Sequence, residues 1–263
     1  HQFGNVTTTD FMSEVEKSSR QDLSVFVNDW LTEVKLPEAI IVKSLKKSAF
    51  MREYLAINCE EYSQKCKDYL VSNISDKGKI KVVSQISGRL EAEAFRNNIE
   101  VRQAIAKYVS TIPKELKLEY ESLLNDKSYV TIEAALYNLW VNFPEERIKY
   151  LQKTKDIRGF NDYNVRLLWL VLHLNTIEFQ PDKKQDVLNE LISYSSPQHH
   201  FELRMRTFDY LKLIDGFEKE SVKSLLDATK HHNWRFSKYA KNLIGELEKE
   251  NTYKLLIEEL KKQ

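Results

Sequence analysis

One apolar pattern recurs along the C-terminal two-thirds of the chain and restricts its fold more than any other feature. Val101, Ala104, Ile105, Tyr108 and Val109 stand at i, i+3, i+4, i+7 and i+8, which places them on one stripe of a helix. The same stripe returns at Ile132, Ala135, Leu136, Leu139 and Trp140, and again at Val165, Leu168, Trp169, Leu172 and His173. It returns once more at Phe236, Tyr239, Ala240, Leu243 and Ile244, and a rougher copy starts at Phe201 with Met205 and Phe208. Successive copies begin 31, 33, 36 and 35 residues apart. Each is followed by a second amphipathic segment, such as Val187, Leu188, Leu191 and Ile192, or Tyr253, Leu256, Ile257 and Leu260. Pro113 and Pro144 stand where second helices open, because proline in a first turn forfeits no hydrogen bond. A helix pair cannot cover its own apolar face, so stacked neighbours supply the core. The pattern predicts an all-α fold: an α-α superhelix, or HEAT-like (armadillo-type) solenoid, of antiparallel helix pairs. An irregular helical bundle is the other arrangement it permits. The helix at Val165, where Leu167, Leu170, Val171 and Leu174 join the stripe, is apolar nearly all round, as a central layer should be.

Composition supports the helical reading. Six Gly and five Pro among 263 residues are too few for the turns of a sandwich or propeller, or for a glycine-lined nucleotide site. The 40 basic and 39 acidic residues leave a net charge of +1, which gives no argument for nucleic acid, an anionic membrane or an acidic substrate. No run approaches the ~20 apolar residues of a bilayer span. A helical, water-soluble chain with no nucleic-acid partner and no membrane span is expected. Cys59 and Cys66 are seven residues apart; on a helix their Cα atoms would lie roughly 10 Å apart, too far for a disulfide. They read as two thiols on or beside a packed face. Asn5-Val6-Thr7 and Asn73-Ile74-Ser75 match the glycosylation sequon, a short motif that carries little without evidence of secretion.

The first hundred residues lack the repeat. Thr9-Asp10-Phe11 opens a helix with Met12 and Val15 inward, capped by a threonine. A second helix carries Leu23, Phe26, Val27, Trp30 and Leu31, and Leu36-Pro37 stops it. Ser72–Lys79, with Gly78, is the best linker candidate, and residues 80–100 read as short helices leading into the repeats. The chain opens at His1 with neither an initiator Met nor an apolar signal segment, which reads as a piece of a longer protein.

The ordered set Thr8-Thr9-Asp10-Phe11, Glu16, Asp22-Leu23-Ser24, Phe26, Asp29-Trp30-Leu31 and Leu36-Pro37 resembles a known signature. It is similar to the stretch that closes the catalytic domain of aminopeptidase N-type (gluzincin) zinc metallopeptidases. Members of that family read roughly T-x-D-F, a short helix, D-L-S-x-F-F-x-x-W-L, then G-L-P. Lys35 stands where the family commonly has Gly, and Val27 where a second bulky residue often falls. The resemblance implies that residues 1–40 are the tail of a helical catalytic domain and 41–263 a HEAT-like C-terminal domain. Zinc in the family is bound by H-E-x-x-H with a downstream Glu, the motif's own Glu serving as general base. The six histidines here are followed by Gln2, Leu174, His200, Phe201, His232 and Asn233, so the motif is not in this chain. The resemblance therefore implies no catalysis and no cofactor for this chain alone, with zinc in a missing catalytic domain. Its partners would be its own N-terminal and catalytic domains, with peptide substrate met through the parent enzyme. A stand-alone HEAT-type scaffold that binds protein segments is the alternative.

Few other residues suggest chemistry. His199-His200 with Glu202, and His231-His232, are the only places to argue a metal, but adjacent histidines point about 100° apart and rarely share an ion. His173 sits on an apolar stripe and reads as a hydrogen-bonded core residue. Glu60-Glu61, Glu145-Glu146 and Glu258-Glu259 are sequence neighbours that do not face one another on a helix. There is no G-x-S-x-G and no P-loop. Asn233-Trp234-Arg235-Phe236 resembles a basic-x-basic-Phe stretch that, in some family members, receives a substrate carboxylate. The resemblance makes Arg235 a candidate substrate-binding residue, although Asn233 departs from the first basic position. A solvated arginine opening the last helix pair is the plainer reading of the same residue.

Overall fold

The computed structural model describes residues 4–262, and every regular element among them is helical, in keeping with the all-α expectation. The chain divides into two compact units, one up to Ile57 and one from Asn58 onward. Residues 40 and 41 both lie inside α3, within the first unit.

The first unit holds α1 (Thr8–Ser19), α2 (Ser24–Val27), α3 (Glu38–Leu45) and α4 (Ala49–Ala56). Thr7 and Asp10 form a reciprocal capping box that sets where α1 starts. Glu16 accepts from the backbone N–H of Leu23 at 2.8 Å and ties α1 to the start of α2. The second helix continues as one π-helical turn, Asn28–Thr32, and the backbone is already extended at Glu33, four residues before Pro37. Met12 is buried and Val15 half-buried, as expected, whereas Phe11, Phe26, Trp30 and Leu31 stay exposed.

The second unit begins with a correction. Cys59 and Cys66 are joined by a disulfide, with Cα atoms 5.9 Å apart. The expectation of separate thiols assumed a helix through both, but residues 57–63 are not helical, so the helical rise does not separate them. Both cysteines are buried, and the Cys59 amide donates to the Gln85 side chain at 2.9 Å. Closing a loop with a sequence separation of 7 stabilises the fold by roughly 2–3 kcal/mol in the chain-entropy account. The proposed linker is also shorter than expected. Only residues 72–75 leave the helix, because Ser75 caps α6 (Asp76–Ile86) by accepting from the Gly78 N–H. Gly78 is therefore a buried residue of that helix, which follows α5 (Gln64–Val71).

From there five longer helices fall where the stripes place them: α7 (Ile99–Tyr108), α9 (Tyr129–Asn142), α11 (Asn164–Asn175), α13 (Phe201–Leu213) and α15 (Trp234–Leu247). Each is followed by a second helix: α8 (Lys117–Glu121), α10 (Arg147–Thr154), α12 (Lys184–Ser193), α14 (Lys219–Ala228) and α16 (Asn251–Lys261). Pro113 precedes a 3₁₀ turn leading into α8, and Pro144 opens one leading into α10. Packing follows chain order, with α7 on α9, α9 on α11, and α11 on α12. Trp169, Leu168 and Leu172 are buried, but Trp140 is only half-buried. In α13 the buried stripe is Leu203, Arg204, Thr207, Phe208 and Leu211, not Phe201 and Met205.

That register follows from a buried arginine. Arg204 is 2 % exposed, donates to the Ser195 and Ser224 carbonyls at 2.9 Å each, and reaches Asp227 at 3.2 Å. Arg102 on α7 does the same with the Phe95 and Ser122 carbonyls and with Asp126, and Arg166 on α11 with the Lys155 carbonyl and Glu190. The acid lies 24, 24 and 23 residues after its arginine, in or just beyond the following helical segment. A guanidinium drawn out of water needs partners for its donors, and Arg204 is buried while Arg102 and Arg166 are each 19 % exposed, so each arginine ties a helix to the segment before it and the segment after it.

The C-terminal ends of these helices are closed as well. Tyr120 and Asn138 donate to the Val109 and Ala106 carbonyls of α7, Arg147 to the Trp140 carbonyl of α9, and Lys184 to the His173 and Thr176 carbonyls of α11. The last turn of a helix leaves carbonyls without their usual i+4 partner, although those of His173 and Thr176 also accept from the Thr176 and Phe179 N–H groups, and a cation at this end is favourable to the helix dipole. Replacing Arg204 with Ala should destabilise the fold by roughly 2–4 kcal/mol, because two carbonyls lose their donors. Asp227→Ala should cost less than about 1 kcal/mol, since that carboxylate is 55 % exposed. Urea denaturation of both variants measures the difference, and equal losses would contradict this account.

Candidate functional site

An apolar groove of about 570 Å³ is formed by α9, α11 and α13. Helix α9 contributes Val130, Glu133, Ala134, Tyr137 and Trp140. These are not its buried stripe of Ile132, Ala135, Leu136 and Leu139. Instead, Val130, Ala134 and Tyr137 form a second apolar row that continues to the exposed Val141. Helix α11 supplies the floor with Leu168, Val171 and Leu172, all buried, and Asn175 at its end. Tyr210 and Leu213 of α13 form the far wall.

Trp140 is held rigidly. Its indole N–H donates to Thr176 at 2.9 Å, and the Arg147 guanidinium stacks 3.6 Å from its ring centroid. Behind the groove, Trp169 donates to the Leu151 carbonyl at 2.8 Å and packs beside His173.

The polar end of the groove is acidic. Glu133 accepts from Asn164 through Oε2 at 2.5 Å, while Oε1 stands 3.9 Å from Arg206, beyond hydrogen-bond reach. Arg206 donates instead to Asp162 at 3.2 Å, and the other Asp162 oxygen is buried without a partner. Two carboxylates thus share one guanidinium. Burial and then the Glu133 charge push the Tyr210 hydroxyl up to about 12, so it remains protonated and able to donate.

The residues singled out in the sequence lie elsewhere. Arg235 is exposed in the first turn of α15, its guanidinium 5.4 Å from the Trp234 ring, and it does not line the groove. Asn233, at the departing basic position, is the N-cap of α15 and accepts from the Arg235 and Phe236 N–H groups. His200 caps α13, and His231 accepts from the Asn233 N–H while stacking on His232. Among the described residues, no three His, Cys, Asp or Glu are grouped to hold a metal ion. Glu146 pairs with Lys117 and Lys149. None of the groove's polar residues was marked in advance. The readable signal was the second apolar row on α9.

Comparison with known protein families, with curated proteins and with solved structures finds no match to this chain. No helix among the described residues is long and apolar enough to cross a membrane.

One titration follows from this packing. His173 is fully buried between Trp169 and Phe179, with Nε2 3.4 Å from the Gln180 side chain. Burial, then Lys184, lowers its pKa below 6.5, so the folded state holds the ring neutral. The unfolded chain takes up the proton more readily. Its contribution to stability is therefore complete above about pH 6.5 and declines as the pH falls below that, until the folded pKa is reached. His199 and His231 are lowered by burial too and share the slope. His173→Phe should flatten the fall in urea midpoint between about pH 7 and 5. An unchanged slope would show that His173 does not contribute.

Proposed function

We propose that the chain is the non-catalytic C-terminal region of a zinc aminopeptidase-like metallopeptidase, where it covers the active site and restricts peptide access. The observation that carries this reading is the state of the first unit. The segment bearing the family-like residues folds as short helices, yet Phe11, Phe26, Trp30 and Leu31 remain exposed, at 60, 48, 42 and 54 %. Helices this short depend on tertiary packing, and a catalytic domain would supply the missing surface. Arg235 would then face substrate only if that domain placed the start of α15 on its cavity.

The second unit is read as a HEAT-like solenoid of antiparallel helix pairs. The alternation of long and short helices and the recurrence of the arginine clasp at Arg102, Arg166 and Arg204 support that arrangement. The groove on α9, α11 and α13 favours the second reading, a stand-alone scaffold that binds protein segments on this surface.

Hydrogen exchange followed by mass spectrometry separates the two. Residues 8–31 should exchange much faster than 130–260 in the isolated chain. Equal, strong protection of both would overturn the metallopeptidase reading in favour of the free-standing scaffold. The coding sequence ahead of His1 should also encode H-E-x-x-H, and its absence there would be equally decisive.

A further inference from the structure

The groove on the second unit combines two properties that together specify a ligand. Its walls present exposed apolar side chains at Val130, Tyr137 and Leu213 over a floor of buried Leu168, Val171 and Leu172, with the small Ala134 among the lining residues. Glu133 supplies the acidic end: it lines the groove and shares the Arg206 guanidinium with Asp162, while Arg147 stacks on Trp140. Glu133 keeps Oε1 outside hydrogen-bond reach of Arg206. A volume of about 570 Å³ accommodates a few side chains, not a folded domain.

We propose that this groove binds a short peptide segment in which apolar side chains flank a lysine or arginine, the apolar groups filling the floor and the cation meeting Glu133. The charge fixes the class. An acidic segment would place like charge beside Glu133, and a wholly polar one would leave the exposed Val130, Tyr137 and Leu213 side chains uncovered. The Tyr210 hydroxyl offers a further hydrogen bond at the same end. This inference stands on the groove alone and does not depend on the metallopeptidase reading.

The test uses the full 263-residue chain with labelled methyl groups, titrated with acetyl-Leu-Lys-Leu-amide, acetyl-Leu-Glu-Leu-amide and acetyl-Ser-Lys-Ser-amide. The first peptide should shift the methyl signals of Leu168, Leu172 and Leu213 saturably. It should bind at least about fivefold tighter than the glutamate peptide, and the serine peptide should not saturate. Glu133→Gln, which keeps the Asn164 contact possible, should bring the lysine and glutamate peptides within about twofold of each other. Ala134→Trp should abolish binding while leaving the helical circular dichroism and Tm unchanged, and if that variant loses its fold, Ala134→Leu serves instead. The proposal is overturned if the lysine peptide gives no saturable shift, if both charges bind equally to the unaltered chain, or if the shifts map away from the groove. It is equally overturned if sedimentation shows the groove covered by a second copy of the chain, with self-association lost in the Ala134 variant.

Discussion

A guanidinium drawn into a helical layer needs partners for its donors, and the second unit is organised around three of them, Arg204 buried and Arg102 and Arg166 half-buried. Arg102, Arg166 and Arg204 each leave a long helix near its N-terminus and end on a carbonyl of the preceding loop and an acid in or just beyond the following segment. Removing the segment before or after an arginine takes away carbonyl or carboxylate acceptors of its guanidinium, so the helices that share an arginine are coupled to one another. At the opposite ends Tyr120, Asn138, Arg147 and Lys184 take up carbonyls that a helix leaves unsatisfied. Short helices are marginal alone, and this polar fastening at both ends supplements the apolar burial that holds them.

The groove is a consequence of how the apolar residues of α9 and α11 are distributed. Helix α11 is apolar nearly all round, so covering one side with α9 and the other with α12 still leaves Leu168, Val171 and Leu172 beneath a gap. Helix α9 carries apolar residues on two rows, one buried and one turned to that gap. What faces water there is the rim, where Val130, Tyr137 and Leu213 are exposed over that buried floor.

Helix positions were legible because an i, i+3, i+4 stripe is a direct record of burial. The stripes at Val101, Ile132, Val165 and Phe236 became α7, α9, α11 and α15 with most of their members buried. The copy at Phe201 was rough for a physical reason: Arg204 and Thr207 occupy its inward positions, and an apolar count reads both as surface. The disulfide is not visible in the spacing because a seven-residue separation excludes a bridge only on a continuous helix, and here Ser63 starts a new one between the two cysteines. Asn233 looked like a weakened half of a charge clamp, whereas its side chain has a local task at the start of α15. None of the polar partners around Glu133 could be read from spacing, since Asn164 and Arg206 come from helices 31 or more residues away.

The same contrast bears on the two parts of the chain. In the second unit, side chains close the C-terminal ends of α7, α9 and α11, and the clasps give three guanidinium groups their acceptors. In the first, the capping box and the Glu16 bond define short helices, but their large aromatic residues are left outside. The helix starts of this segment are set by its own local hydrogen bonds, while its large apolar groups remain exposed. Local hydrogen bonds choose where a helix begins; only burial of groups such as Phe26 and Trp30 can make it stay. That division of labour is why the functional reading of residues 8–32 depends on what covers them, while the architecture of the second unit can be argued from its own side chains.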